Sequence, residues 1–139
     1  MAAHRKSKEG TGDTIAPPRT LDILVLEDDD STRRVLDAIL GGLGHRVIGS
    51  KSVKEAQALL GVFVFDLLLC DLSLPDGSGL DVIRHVPKDH KVHKIIISGY
   101  GDPEDLARSK AAGFDAHLVK PVDVALLQRE VWRLTGQPL

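Results

Sequence analysis

Four apolar runs, each stopping at a charged or hydroxyl residue, are the feature that most constrains the fold of this chain. Three of them read LDILVLEDDD, FDLLLCD and HKIIISG, and the fourth, AHLVK, is followed by Pro121. Continuous apolar runs are typical of strands buried on both faces of a parallel sheet, whose carboxyl ends open into one crevice. If the four strands lie side by side, we expect five polar side chains to meet there: Glu27, Asp28, Asp71, Ser98 and Lys120. Three carboxylates, a hydroxyl and an ammonium suit a divalent cation and a phosphoryl group.

The length and charge of the chain indicate one domain with no general affinity for polyanions. A length of 139 residues allows a single sheet with its covering helices, and leaves no room for a second catalytic or DNA-binding domain. A net charge of -2 predicts no contact with nucleic acid or with a membrane surface. The single cysteine, Cys70, excludes an internal disulfide and favours a reducing, cytoplasmic location.

Strand and helix signals alternate from residue 21 to residue 135, which we interpret as the folded domain. Residues 1–20 are polar and contain Gly and Pro, so they predict a flexible tail or linker, and residues 136–139 predict a short C-terminal tail. The predicted strands cover residues 22–26, 46–48, 65–70, 92–97 and 116–119. A helix is predicted after each strand, which makes a doubly wound α/β domain with a five-stranded parallel sheet.

Local signals place the starts and the buried faces of these helices. Asp29, Asp30 or Ser31 can cap the first helix, whose apolar positions are Val35, Leu36, Ile39, Leu40 and Leu43. Ser52 and Glu55 have the spacing of a capping box for the second helix. Asp102 followed by proline predicts the start of the fourth helix.

The acidic residues at the ends of the first and third strands predict a cation site. Glu27 and Asp28 are adjacent, and a parallel sheet could place Asp71 next to them. Carboxylates this close repel one another, so either one stays protonated or a cation occupies the space. An oxygen-only ligand set suits Mg²⁺, or Mn²⁺ in its place. The alternative for the acidic residues at 27–29 is a solvated loop that caps the first helix, but Asp71 has no helix directly after it.

Ser98 and Lys120 could supply the hydroxyl and the cation that an incoming phosphoryl group needs. Taken singly, a serine after a strand is most often a turn former, and a lysine is most often a solvated surface charge. Lys120 differs because it follows an apolar strand and precedes Pro121. A cis bond at Pro121 would reverse the chain sharply and aim the ammonium into the crevice.

These motifs resemble those of the receiver (response regulator) domains of two-component phosphorelays, over residues 21–135. The resemblance is carried by VLEDD, LLLCDLSLPDGSGL, ISG and HLVKP, in that order. It implies a flavodoxin-like (βα)5 sheet with strand order 2-1-3-4-5. The stretch GFDAHLVKPVD further resembles receivers fused behind hybrid sensor histidine kinases. A stand-alone protein and a module of such a kinase therefore both remain open.

The resemblance implies that Asp71 accepts a phosphoryl group from a phosphohistidine on a sensor histidine kinase or a histidine phosphotransfer protein. Glu27, Asp28, Asp71 and the backbone carbonyl of Ser73 would bind Mg²⁺. Lys120 would pair with a phosphoryl oxygen. Such a domain is a signalling switch or relay that catalyses its own phosphorylation and dephosphorylation, and not a multiple-turnover enzyme.

The resemblance also implies a switch formed by Ser98 and by the residue at position 117. Tyrosine or phenylalanine is common at the second position in this family, whereas this chain has His117. Histidine is smaller and can be charged, which argues against a switch driven by ring burial; its alternative role is that of a partly exposed strand residue. Tyr100 would lie near the path of the hydrolytic water and predicts slow hydrolysis of a phospho-aspartate. A homodimer could form through the fourth helix, the fifth strand and the fifth helix.

Two other functions stay open at the level of sequence. Asp28, Asp30 and Thr32 spell D-x-D-x-T, which resembles the first motif of haloacid-dehalogenase-like phosphatases, with Asp28 as the reactive carboxylate. That function would leave Asp71 and the LSLPDGSG segment unexplained. The other is a receiver-like scaffold that is never phosphorylated, against which the intact set of polar strand ends argues.

Overall fold

Five parallel strands form one sheet in the computed structural model, which describes residues 19–99 and 101–136. The strands are β1 (Asp22–Leu26), β2 (Arg46–Ser50), β3 (Leu67–Asp71), β4 (His93–Ser98) and β5 (Ala116–Val119). The helices are α1 (Asp30–Gly42), α2 (Val53–Leu60), α3 (Gly79–Val82), α4 (Pro103–Ala112) and α5 (Val124–Thr135). The sheet order is β2-β1-β3-β4-β5, which confirms the doubly wound, flavodoxin-like (βα)5 fold. Of the predicted tail at residues 1–20, residues 1–18 lie outside the described part of the chain. Residues 137–139 of the predicted C-terminal tail lie outside it as well.

The helices cover both faces of the sheet, which explains why its strands are apolar without alternation. In β1, Ile23 and Val25 pack with α1 and α5 on one face, whereas Leu24 and Leu26 pack with α2 and α3 on the other. All four side chains are fully buried. A strand that is buried on both faces places apolar residues at every position.

The polar ends of the third and fourth predicted strands belong to the strands themselves. β3 and β4 begin later than the sequence pattern predicts, at residues 67 and 93, and continue to Asp71 and Ser98. The ladder explains the extension, because Asp71 is in register with Ile97, and Ser98 with Val119. Both polar side chains are therefore fixed by rigid, buried strands rather than by loops.

The predicted cap and apolar face of α1 are confirmed only in part. Asp29 is the cap, and its carboxylate accepts hydrogen bonds from the backbone N–H and the hydroxyl of Thr32. Two of the positions predicted as apolar contacts are exposed, Val35 at 56% and Leu43 at 37%. The sheet contacts a narrower stripe, because the buried side chains of α1 lie one turn apart, at Leu36 and Leu40.

The start of α2 differs from the predicted capping box. Ser52 accepts from the N–H of Glu55, but the carboxylate of Glu55 accepts from the N–H of Lys51. Asp76, in the turn of a short hairpin formed by Ser73–Leu74 and Gly77–Ser78, accepts hydrogen bonds from the first two backbone N–H groups of α2. These bonds lower the pKa of Asp76. The loop after β3 is thus attached to α2.

Candidate functional site

Lys120 links the carboxyl ends of β1 and β3. Its Nζ lies 2.8 Å from Oε1 of Glu27 and 3.1 Å from Oδ2 of Asp71. Burial alone would lower the pKa of Lys120, but the two carboxylates outweigh this effect and raise it. The ammonium is therefore held in its charged form between two acidic side chains at the carboxyl ends of different strands. The peptide bond that follows it, Lys120–Pro121, is cis, as the sequence predicts.

Glu27 is a buried carboxylate at the junction of β1 and α1. Its side chain is 1% exposed, and Oε2 accepts a hydrogen bond of 3.0 Å from the N–H of Asp29. Within the described part of the chain, Oε1 makes no directed hydrogen bond, so its contact with Lys120 is an ion pair. A buried carboxylate oxygen of this kind is open to a further cation.

Three carboxylates converge at this point, as the strand ends predict. Oxygen atoms of Glu27, Asp28 and Asp71 all lie within 4.8 Å of one another. Asp28 is exposed, whereas the other two are buried. Three carboxylates against one ammonium leave an excess of two negative charges. An all-oxygen donor set with one open, exposed member fits Mg²⁺, which binds few carboxylates and keeps several waters.

The surroundings of Asp71 hold its carboxylate and its backbone in place. Oδ1 accepts a hydrogen bond of 3.2 Å from the N–H of Ser73, so the residue predicted to offer its carbonyl to the cation lies next to Asp71. Behind Asp71, a Cβ added to Gly79 would lie 2.2 Å from the carbonyl oxygen of Asp71. The start of α3 therefore packs against the β3 backbone so closely that only glycine fits. This role was not predicted from the sequence, although the glycine lies in the LPDGSGL segment.

Ser98 and His117 are in direct contact on neighbouring strands. Ser98 Oγ lies 2.7 Å from Nε2 of His117, and the other ring nitrogen, Nδ1, lies 3.2 Å from Oγ of Ser109 on α4. Ser98 and His117 were predicted from the sequence as site residues, whereas Ser109 was not, because a serine inside a helix carries no signal of its own. Tyr100 lies outside the described residues.

Asp30 and Thr32, the other residues of the D-x-D-x-T pattern, serve the first turn of α1. Asp30 forms an ion pair with Arg33, and the hydroxyl of Thr32 donates to Asp29. Both contacts stabilise the helix start, and neither residue is part of the acidic group.

Comparison with known families supplies the identification. A model of the response regulator receiver domain matches residues 23–131. The chain belongs to this family. Membership removes the haloacid-dehalogenase-like alternative. Receiver domains are signalling switches rather than ordinary multiple-turnover enzymes, and they interact with histidine kinases or phosphotransfer proteins.

Relatives of this receiver domain include both longer and similarly short proteins. It is 35% identical over 109 residues to the response regulator protein PilR of Pseudomonas aeruginosa, covering 78% of this chain and 24% of that protein. It is 35% identical over 114 residues to an uncharacterized 14.6 kDa protein of Leptolyngbya boryana, covering 80% of this chain and 87% of the relative. It covers only 47% of the KDP operon regulator KdpE of Escherichia coli, at 32% identity.

Solved structures show the same architecture. The receiver domain of the sensor histidine kinase PA1611 from P. aeruginosa aligns with a TM-score of 0.74 and 30% identity, covering 86% of this chain and all of that one. That structure has a magnesium ion coordinated in its active-site cleft. A receiver domain from Methanospirillum hungatei aligns with a TM-score of 0.77 and 28% identity, covering 84% of this chain and 94% of that one. Among the described residues of this chain, no helix has the length and apolar character needed to cross a bilayer.

Proposed function

We propose that this receiver domain accepts a phosphoryl group from a phosphohistidine onto Asp71 in a Mg²⁺-dependent reaction, and acts as a signalling switch or relay. The observation that carries the proposal is the environment of Asp71. Its side chain is 7% exposed, one oxygen contacts the ammonium of Lys120, and two further carboxylates lie within 4.8 Å. A structural carboxylate would need no such acidic neighbours, because they disfavour its charge.

The transfer itself requires an anionic oxygen on Asp71 and neutralisation of the incoming group. A carboxylate oxygen of Asp71 forms the new O–P bond while the N–P bond of the phosphohistidine breaks, and the leaving imidazole takes up a proton. Lys120 stays charged because of its raised pKa, so it pairs with a phosphoryl oxygen as the negative charge arrives.

Glu27, Asp28 and Asp71 would hold the divalent cation, together with the backbone carbonyl of Ser73. When bound, Mg²⁺ (or Mn²⁺) supplies charge compensation for the crowded carboxylates and for the phosphoryl oxygens. The excess of two negative charges at the site supports a divalent rather than a monovalent ion. The exposed position of Asp28 leaves this side of the site open to solvent water.

Ser98 and His117 would form the switch of the domain, and the partner would be a sensor histidine kinase or a histidine phosphotransfer protein. Tyr100 would slow hydrolysis of the phospho-aspartate through its bulk. A homodimer through α4, β5 and α5 is supported by exposed apolar side chains on all three elements, among them Leu106 at 41% and Val124 at 48%. We infer that the domain works in the cytoplasm, either alone or within a hybrid kinase.

Intact mass spectrometry after incubation with acetyl phosphate and Mg²⁺ tests the proposal. We expect a gain of one phosphoryl group by the wild type and none by Asp71→Asn, with less modification when Mg²⁺ is omitted. Wild-type protein that stays unmodified while it binds Mg²⁺ would instead support the remaining alternative, a receiver-like scaffold that is never phosphorylated. Equal modification of Asp71→Asn and wild type would place the acceptor elsewhere.

A further inference from the structure

The side chain of Arg33 reaches from α1 back to the end of β1. One guanidinium nitrogen, Nη1, donates a hydrogen bond of 2.8 Å to the backbone carbonyl of Glu27. The other, Nη2, forms an ion pair with Asp30 in the first turn of the same helix. The Arg33 side chain is only 17% exposed, so the protein covers most of it. Because a guanidinium only donates and a carbonyl only accepts, the direction of the bond to Glu27 is fixed.

The bond from Arg33 replaces a partner that the sheet does not provide. The N–H of Glu27 donates to the carbonyl of Ser50, which continues the pairing of β1 with β2 by one residue. In a parallel ladder, the carbonyl of Glu27 would then accept from the N–H two residues beyond Ser50. β2 ends at Ser50, however, and Ser52 is already the cap of α2. Arg33 therefore satisfies a carbonyl at the open end of the ladder.

Gly49 in β2 leaves room for the Arg33 side chain. A Cβ added at Gly49 would lie 3.0 Å from Cδ of Arg33 and 3.4 Å from its Cγ. The aliphatic part of Arg33 thus runs across the backbone of an edge strand, at a position that has no side chain of its own. Gly49 is not among the glycines with a positive φ, so its backbone would accept a larger residue if Arg33 moved away.

The carbonyl that Arg33 contacts belongs to the peptide unit between Glu27 and Asp28, two of the three converging carboxylates. Glu27 is buried, but Asp28 is exposed, so packing does not fix the Asp28 carboxylate. Its position relative to Glu27 depends instead on the orientation of the planar peptide unit that joins them. Because Asp30 neutralises Arg33, the guanidinium acts on this peptide unit as a hydrogen-bond donor more than as a free charge.

We propose that Arg33 is a positioning residue of the metal site, which fixes the peptide unit between Glu27 and Asp28 and so sets the distance between their carboxylates. The inference rests on the proposed function, since it requires that these carboxylates bind Mg²⁺. Arg33 is itself a cation and would not bind the metal. Groups that orient metal ligands typically contribute about 10–100-fold to metal affinity. Arg33 acts on the backbone rather than on a ligand atom, so we expect an effect of about 10-fold.

Titration with Mg²⁺ alone, followed by the backbone amide signals of the three acidic residues in NMR, tests the role of Arg33. Arg33→Met keeps the aliphatic part of the side chain and removes both guanidinium contacts, so we expect the Kd for Mg²⁺ to rise about 10-fold. In the metal-free protein, the carbonyl ¹³C signal of Glu27 should also move, because that carbonyl loses its donor. Arg34→Met, at the next and exposed position of α1, is the matched control and should behave as the wild type.

The sign of the change in Kd separates positioning from two simpler roles of this arginine. Loss of a nearby cation would by itself strengthen Mg²⁺ binding, because like charges repel. Loss of a packing contact would by itself destabilise the metal-free domain and leave the Kd unchanged. A Kd for Arg33→Met that equals or falls below that of Arg34→Met therefore overturns the inference and leaves the proposed function standing. Wild-type protein that does not bind Mg²⁺ overturns the proposed function, and the inference with it.

The variant Gly49→Val tests the path of the Arg33 side chain without altering Arg33 itself. Its methyl groups take the space next to Cγ and Cδ of Arg33, so the guanidinium has to leave the Glu27 carbonyl. Valine favours a strand, so we expect urea unfolding of the metal-free variant to show at least wild-type stability, while the Kd for Mg²⁺ rises as in Arg33→Met. In the double variant, Gly49→Val should add nothing to Arg33→Met, because both act through one hydrogen bond. A wild-type Kd for Gly49→Val, or additive increases in the double variant, would refute this path.

Discussion

The close approach between Gly79 and the backbone of Asp71 yields a quantitative prediction for Gly79→Ala. The added methyl carbon would lie 2.2 Å from the carbonyl oxygen of Asp71, 2.8 Å from Sγ of Cys70 and 3.0 Å from Cδ1 of Ile96. An ordinary contact to that oxygen begins near 3.4 Å, so α3 and β3 have to separate by about 1.2 Å. All three neighbours are buried and belong to the central strands, and the nearest of them is a backbone atom, which no side-chain rotation can move.

Insertion of a methyl group into a well-packed site costs about 1–3 kcal/mol, and a backbone neighbour puts Gly79→Ala at the upper end, near 3 kcal/mol. In a domain of this size, the corresponding fall in Tm is on the order of 10 °C. Because the displaced atoms belong to Asp71, we also expect phosphorylation by acetyl phosphate to slow. Thermal and urea unfolding, with intact mass for phosphorylation, measure both effects.

A matched control for this substitution is Gly41→Ala in α1, where an added Cβ meets nothing within 4 Å. Removal of a helical glycine there should stabilise the domain by about 0.5 kcal/mol and leave phosphorylation unchanged. The packing argument is refuted if Gly79→Ala unfolds at the same temperature as the wild type. It is also refuted if Gly41→Ala is the more damaging of the two substitutions.

Two further predictions concern charge. Lys120→Met leaves two buried carboxylates without their ammonium, so without Mg²⁺ we expect the free energy of unfolding to fall by about 3 kcal/mol, the lower end of the usual range because Lys120 is 28% exposed. Mg²⁺ should restore part of this loss. Thermal unfolding in a Mg²⁺ titration checks this, and equal stabilisation of variant and wild type by Mg²⁺ would contradict it. Burial lowers the pKa of His45 from its usual 6.5, so the unfolded chain binds a proton there more readily than the folded one. The stability that His45 contributes above pH 6.5 is therefore lost as the pH falls below that value. Urea unfolding from pH 7.5 to pH 5 should therefore show a smaller loss for His45→Asn, whose amide oxygen can still accept from Leu21; the same pH dependence in both proteins would exclude His45 as the cause.

The architecture could be predicted from the sequence because the strands have a distinctive apolar pattern. Apolar runs that are buried on both faces have few alternatives to a covered parallel sheet. The polar residues that end these runs meet at one site, where Lys120 lies beside the acidic group. The bond before Pro121 was a candidate for the cis form, because cis bonds occur almost only before proline, and it is cis in the structure.

Features that depend on contacts between distant segments could not be predicted from the sequence. Asp76 accepts hydrogen bonds from the start of α2, 23 residues earlier in the chain, and nothing in its local sequence indicates this. Ser109 is one polar residue on a largely polar helix until the fold places it against His117. The exposed position of Val35 shows the same limit, because helical periodicity predicts an apolar face but not how much of it the sheet covers.

The most direct test of the proposed function is to identify the residue that carries the phosphoryl group. An aspartyl phosphate is reduced by sodium borohydride to homoserine, and peptide mapping then shows the position of that residue. For wild-type protein treated with acetyl phosphate and Mg²⁺, we predict homoserine at position 71 and nowhere else. Homoserine at position 28, or phosphorylated protein that contains none, would contradict the assignment of Asp71 as the phospho-acceptor.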